Sequence, residues 1–330
     1  MADKITIALK RGASCVGCDI AVVNLSEKLL DLLAIADIVF APTLIDTKYK
    51  DLKAMPDKSI TLGIYHGAVR NSENEELAHI IRQKCQIVIA YGACAQFGGI
   101  PGLANDTTKE NIFRTVYETT HSTDNPQKVY PQEEWSDDNG HKLNLPKFYE
   151  RVKRLDEVID VDYYVPACPP TYDMNLQILQ MLSDFVAGKS ELPPKGTVIA
   201  SQKIVCDECP REKSEIVSMK DIKYITEIIP DEEKCFLEQG IICIGPATRA
   251  GCGAPCMEAN MPCRGCMGPT AEMEDQGGAI LSAIASIITP ELEGLDEDIL
   301  KLVDKIKDPL GYFYRFTLPT SLLDKTKQEE

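Results

Sequence analysis

The chain has 330 residues, 44% of them apolar, enough to bury one large core or two modest ones. Its 35 Lys and Arg against 51 Asp and Glu leave a net charge of −16, which repels phosphate backbones and anionic membrane surfaces and sets nucleic-acid binding aside. The opening MADKITIALK has neither twin arginines nor a signal-peptide core, and the longest apolar stretch, Ala279–Ile288, is too short for a membrane span; a cytoplasmic protein off the membrane is expected.

Ile5–Lys10 reads as a strand, and after a turn holding Cys15 and Cys18 the apolar positions of Asp19–Leu33 recur every three or four residues, as in a helix. Asp37–Pro42 and Ser59–Tyr65 are the next strands, Glu73–Lys84 a helix, and Gln86–Tyr91 a strand apolar enough to be buried on both faces. From Pro101 to Leu155 the chain turns polar and irregular, with turn signals such as Asp137-Asp138-Asn139-Gly140; it is a surface insertion or an arm that docks a partner. Val161–Val165 is a strand and Thr171–Phe185 a helix. This alternation predicts an α/β fold, a flavodoxin-like doubly wound parallel sheet, over residues 1–190, with a polar insertion at about 101–160. Past Leu192-Pro193-Pro194 the character changes, and residues 191–330 read as a second, loop-rich domain. Between Cys206 and Cys266 there is little periodicity, eight cysteines and much Gly and Pro, which predicts folding around something other than an apolar core. Helices follow at Gly278–Ile288 and around Asp296–Ile306, before an acidic tail.

Thirteen cysteines is an odd number and too sparse for a disulfide scaffold; in a reducing compartment grouped thiols are metal ligands more often than bridges. Four of them share a structural address. Cys15 and Cys18 follow the first strand, Cys94 follows QIVIAY, and Cys168 follows VDYYV in a Pro-Ala-Cys-Pro-Pro loop. In an open parallel sheet the C-terminal strand ends line the binding crevice, so these loops can converge there. Any one of them could be a small buried hydrophobe, but four at equivalent strand ends suit a tetrahedral metal or an iron–sulfur cluster. Cys85, between a helix and a strand, lacks such a setting and reads as a plain thiol.

The other eight are Cys206, Cys209, Cys235, Cys243, Cys252, Cys256, Cys263 and Cys266, two complete sets of four. Zinc is a rival occupant, since CxxC pairs also form zinc knuckles. Here the two pairs lie more than fifty residues apart with four single cysteines between them, which favours two iron–sulfur clusters; spacing does not say which thiols share one. There is no GxxxxGK[ST], GxSxG or HExxH pattern and only four histidines, so the chemistry expected is electron transfer, with no catalytic residue on this chain.

With these residues in view, nearly the whole chain resembles the small subunits of nickel–iron hydrogenases. The likeness rests on the Ser14-Cys15-x-x-Cys18 turn, on Gly92-Ala93-Cys94-Ala95-x-Phe97-Gly98-Gly99-Ile100, on Pro166-x-Cys168-Pro169-Pro170, on Cys243-Ile-Gly-Pro and on Pro262-Cys263-x-Gly-Cys266. The resemblance implies a proximal cluster on Cys15, Cys18, Cys94 and Cys168, a medial one on Cys252, Cys256, Cys263 and Cys266, and a distal one on Cys206, Cys209, Cys235 and Cys243. Cys206 stands where many members have His, and Cys256 where members with a three-iron medial cluster have Pro; three [4Fe–4S] clusters of low potential are implied.

These features are similar to the cytoplasmic hydrogenases of methanogens, above all the viologen-type enzyme that does not reduce deazaflavin and feeds heterodisulfide reductase. The likeness implies as partners a large nickel–iron subunit, a small two-iron electron-transfer protein and heterodisulfide reductase. Rival readings are the small subunit of a deazaflavin-reducing hydrogenase, a complex-I-type cluster subunit, a zinc-binding scaffold and a disulfide-rich binding protein. His66, at the end of the third strand, is either a satisfied structural histidine or a donor to a cluster sulfide at the crevice.

Overall fold

The computed structural model describes residues 4–289 and 300–324. Its strands are β1 (Ile5–Arg11), β2 (Ala36–Phe40), β3 (Ile60–His66), β4 (Val69–Asn71), β5 (Cys85–Tyr91), β6 (Glu134–Ser136), β7 (Lys142–Asn144), β8 (Phe148–Lys153) and β9 (Tyr163–Val165). Five pair in parallel in the order β2-β1-β3-β5-β9. Renumbered by succession, that is 2-1-3-4-5, the flavodoxin-like order the sequence predicts. β3 and β5 are central, and Leu62, Tyr65, Val88 and Ala90 are buried, because apolar side chains fill both faces of a covered sheet.

The covering helices are α1 (Gly17–Val23), α2 (Lys28–Ile35), α3 (Tyr49–Ala54), α4 (Ser72–Lys84), α5 (Ala93–Phe97), α6 (Lys109–Arg114) and α7 (Tyr172–Val186). α4 opens on the Asn71 side chain, which accepts from Asn74 N–H at 2.8 Å, and α7 on Thr171. Such caps contribute about 1 kcal/mol each.

Three expectations are corrected. The single helix Asp19–Leu33 is two, α1 and α2, parted at Asn24–Glu27, where Ser26 takes φ +53°. The apolar repeat runs on through the break because Leu25 in the turn is itself buried, so periodicity does not register it. The stretch 101–155 is not irregular. It holds a 3₁₀ segment Ile100–Asp106, α6, a β6–β7 hairpin, and β8 paired antiparallel to β4. Phe113, Tyr117, Tyr130 and Phe148 pack around one another with ring centroids 5.5–6.2 Å apart, a half-buried aromatic cluster among charged neighbours.

Nor is the second half without an apolar core. Val205, Met219, Phe236, Ile244, Ile280 and Phe313 bury together, with Cys243 and Cys263 among them. They arrive singly from loops, from α9 (Gln276–Ile287) after the short α8 (Pro255–Glu258), and from the one-turn helix Pro309–Phe313, so no period announces them. Of the helix expected at Asp296–Ile306, residues 300–303 are helical, while 296–299 lie outside the described residues, as does the tail from 325. Among the described residues no helix is long and apolar enough to cross a membrane.

Candidate iron–sulfur sites

Cys15, Cys18, Cys94 and Cys168 meet at the C-terminal edge of the sheet. The loop carrying Cys15 and Cys18 is pinned by Gly12 N–H to His66 O and Ala13 N–H to Ala68 O, both 2.7 Å. The loops carrying Cys94 and Cys168 are tied by Gly92 N–H to Val165 O and Ala93 N–H to Ala167 O, again 2.7 Å each. The four thiols therefore lie in one another's field. Burial, then Cys94, Cys168 and Cys15, push the Cys18 thiol far above its ordinary range; burial, then Cys168 and Cys15, push Cys94 up to about 12; burial and Cys15 raise Cys168. Packed thiolates repel, so such a group ionises only when a cation settles among them.

Glycines make the room. Gly92, at φ +84°, passes so close that a Cβ there would lie 2.7 Å from Cys18 Sγ, and one on Gly99, at φ +59°, would lie 2.5 Å from Cys94 Sγ. Both positions need the left-handed backbone that glycine alone takes readily.

The second half holds two further sets. Cys206, Cys209, Cys235 and Cys243 line one cavity, with Arg211, Phe236 and Gly245. Burial, then Cys243, Cys235 and Cys209 among its neighbours, raise Cys206 to about 12; burial, with Cys235 and Cys209 adding, raises Cys243 to about 11. A Cβ on Gly245 would stand 3.3 Å from Cys206 Sγ and 3.5 Å from Cys243 Sγ. Cys252, Cys256, Cys263 and Cys266 form the other set. Burial dominates at Cys266, which is raised to about 11 with Cys256 among its neighbours; Cys252 and Cys263 are raised by burial and also feel Cys266.

The order of the sets in space differs from their order in sequence. Cys266 faces Cys168 of the first set, whose backbone N–H points at the Cys266 sulfur, and both side chains pack on Phe97 and Phe316. At the start of the same turn, Cys263 faces Cys243, and Ile244 N–H donates to Cys263 O at 3.0 Å. The set that comes last in the chain thus lies between the other two. Gln276 holds this turn: its Nε2 donates to Gly265 O and Thr248 Oγ1, each at 3.1 Å. Cys85 stands apart in the sheet, where a Cβ on Gly63 would meet its sulfur at 2.8 Å, and burial raises its thiol to about 12.

His66 is fully buried, and its ring faces the first turn from behind. Nε2 lies 3.1 Å from Asp19 Oδ1, poorly aligned for a hydrogen bond, and Nδ1 lies 3.5 Å from Ser14 Oγ. Thr43 Oγ1 donates to Asp19 at 3.2 Å. Burial alone would raise the Asp19 carboxyl; His66, Thr43 and Arg11 overcome it and hold it below the usual carboxylate range. The nearest polar neighbours of the ring are thus Ser14 and Asp19, which flank Cys15 and Cys18. Sequence reasoning passed over Asp19, Glu208 and Arg211. Arg211 is buried over the Phe236 ring at 3.8 Å and donates to Asp231 O and Lys234 O beside Cys235. The only signal for these residues was proximity to a cysteine pair.

Among the described residues no three Cys, His, Asp or Glu side chains close on one point as a single ion requires. Twelve thiols in three sets, two of them lined by glycines, suit iron–sulfur clusters as a donor set.

Comparison with known proteins agrees in kind. Residues 15–182 match the family described as NADH ubiquinone oxidoreductase, 20 Kd subunit. The chain is 45% identical over 333 residues to the iron-sulfur subunit of the F(420)-non-reducing hydrogenase of Archaeoglobus profundus, covering 98% of this chain and 99% of that one. It belongs to the small subunits of [NiFe] hydrogenases. A second relative of this small subunit, from the F(420)-non-reducing hydrogenase of Methanothermobacter marburgensis, is 39% identical over 332 residues, with 100% of this chain and 99% of the relative covered. A [NiFeSe]-hydrogenase from Dm. baculatum shares the fold at 17% identity, TM-score 0.51, over 82% of the small subunit and 96% of its own chain. The small subunit serves an oxidoreductase that acts on H2, with the large subunit as its partner.

Proposed function

We propose that this small subunit carries three [4Fe–4S] clusters and passes electrons, one at a time, between H2 at the large subunit's nickel–iron site and an acceptor at its far end. The single observation carrying the reading is the chain of sets. Cys168 meets Cys266, and Cys263 meets Cys243, so each cysteine quartet adjoins the next. Bound there, the clusters supply one-electron carriers with little reorganisation on reduction. The residues' part is to hold them: Cys15, Cys18, Cys94 and Cys168 the proximal, Cys252, Cys256, Cys263 and Cys266 the medial, and Cys206, Cys209, Cys235 and Cys243 the distal cluster.

Two units divide this work, the sheet of residues 1–190 and the loop-rich residues 191–330. Cys206 in place of an imidazole, and Cys256 completing a fourth ligand, favour low potentials and a strongly reducing acceptor. The relatives' name fits an acceptor other than deazaflavin. A two-iron protein leading to heterodisulfide reductase is the partner we infer. The test is spectroscopic: the purified complex of this chain with its large subunit, exposed to H2, should bleach in the visible and show three reducible cluster signals. A complex in which H2 reduces only one such signal would overturn the relay.

A further inference from the structure

Glu208 lies between Cys206 and Cys209 in the chain, yet its carboxylate serves the neighbouring set. Oε2 accepts from Gly251 N–H at 3.0 Å; Oε1 accepts from Cys252 N–H at 3.2 Å and Gly253 N–H at 3.1 Å. Cys252 Sγ is 3.4 Å from the same Oε1. Gly251 at φ +111° and Gly253 at φ +74° flank the cysteine and turn three successive N–H groups toward one point, a backbone concavity that binds anions. Crowding reinforces the shape, since a Cβ on Gly251 would lie 3.0 Å from Ser201 N. The bland account is a carboxylate that satisfies a turn. Two features exceed it. The turn it satisfies carries a thiol of a different quartet, so one side chain fixes the distal pair relative to the middle set. And the carboxylate lies in contact with the Cys252 sulfur, whose S–H donates to Oε1 and whose proton leaves when the thiol ligates a metal.

We infer that Glu208 is a positioning residue for the middle site: it holds the Cys252 loop for cluster binding and, through its charge beside the Cys252 sulfur, keeps that site's potential low. A negative charge near a ligand sulfur favours the oxidised, less negative state of whatever centre that sulfur holds. The inference rests on the three-cluster reading, and the experiment separates the two.

The hydrogenase complex is purified anaerobically as wild type, E208Q and E208A, its iron and acid-labile sulfide counted, and its clusters titrated by electron paramagnetic resonance. The wild-type count judges the three-cluster reading by itself, whatever Glu208 does. With that count in hand, E208A is expected to lose about four of about twelve irons while the proximal and distal signals persist. E208Q keeps an oxygen acceptor for the turn but no charge; it is expected to hold all its iron and to shift the medial midpoint upward, with the proximal midpoint unmoved. Full iron in E208A, or an unmoved medial midpoint in E208Q, overturns the inference. Should E208A fail to assemble, the E208Q midpoint decides alone.

Discussion

Gly92 shows how much of a cluster site is decided by the absence of an atom. A methyl group there would lie 2.7 Å from Cys18 Sγ on a backbone at φ +84°, so Gly92→Ala both strains the loop and fills the cradle. The expected result is loss of about a third of the bound iron, read by anaerobic iron assay. Cys85→Ser gives the opposite pattern: unchanged iron, but a stability cost of about 1–3 kcal/mol for a hydroxyl buried without an assured partner, read by thermal melting. Loss of iron in that variant would mean the thirteenth cysteine had been misjudged. Cys256 is exposed at the start of α8, just after Pro255. Cys256→Pro should convert one four-iron centre to a three-iron one, visible as a new signal in the oxidised protein's paramagnetic resonance spectrum. Cysteines of this kind are legible in sequence because pairing and Gly or Pro neighbours mark them. Asp19, Glu208 and Arg211 are not: a single charged residue in a loop has no period, and its partners are set by tertiary contacts.

At the level of elements, the seam between α4, β5 and β9 is closed by one carboxylate. Asp162 accepts from Arg82 Nη1 at 2.7 Å and Val88 N–H at 2.8 Å and pairs with Lys195 Nζ at 2.5 Å. Burial would raise this carboxyl, but Lys195, Arg82 and the Val88 N–H outweigh it and hold it below the ordinary range. A group whose folded value is depressed contributes stability above its unfolded value, about 3.9, and loses that contribution as pH falls through the folded value. Asp162→Asn should therefore melt at a lower temperature at neutral pH, with the deficit shrinking below about pH 4. A constant deficit across an acid titration would place the effect elsewhere. The strands themselves were legible, β5 most of all, because a run apolar on both faces admits few alternatives. The break between α1 and α2 was not, since buried Leu25 carries the apolar repeat across it. The β4–β8 pair was not either: FYERVK buries Arg151 and Val152 together and does not alternate.

Across the whole molecule, the sheet supplies one quartet from three strand ends, and a loop-built core supplies two more. Cysteine spacing sets four thiols at strand ends apart from eight in the loop-rich half, but neither divides the eight nor orders the sets in space. That order follows from the turn Cys263–Cys266, whose two thiols look toward different neighbours, Cys243 on one side and Cys168 on the other. In the relay we propose, the path runs from the sheet edge, where Cys15 is exposed, to the far set at Cys206 and Cys209. The measurement that tests this most directly is an anaerobic count of iron, acid-labile sulfide and zinc per chain in the purified complex, corrected for the large subunit's own metal. About twelve irons and twelve sulfides with no zinc are predicted, one four-iron cluster for each quartet. About four irons accompanied by zinc would contradict it.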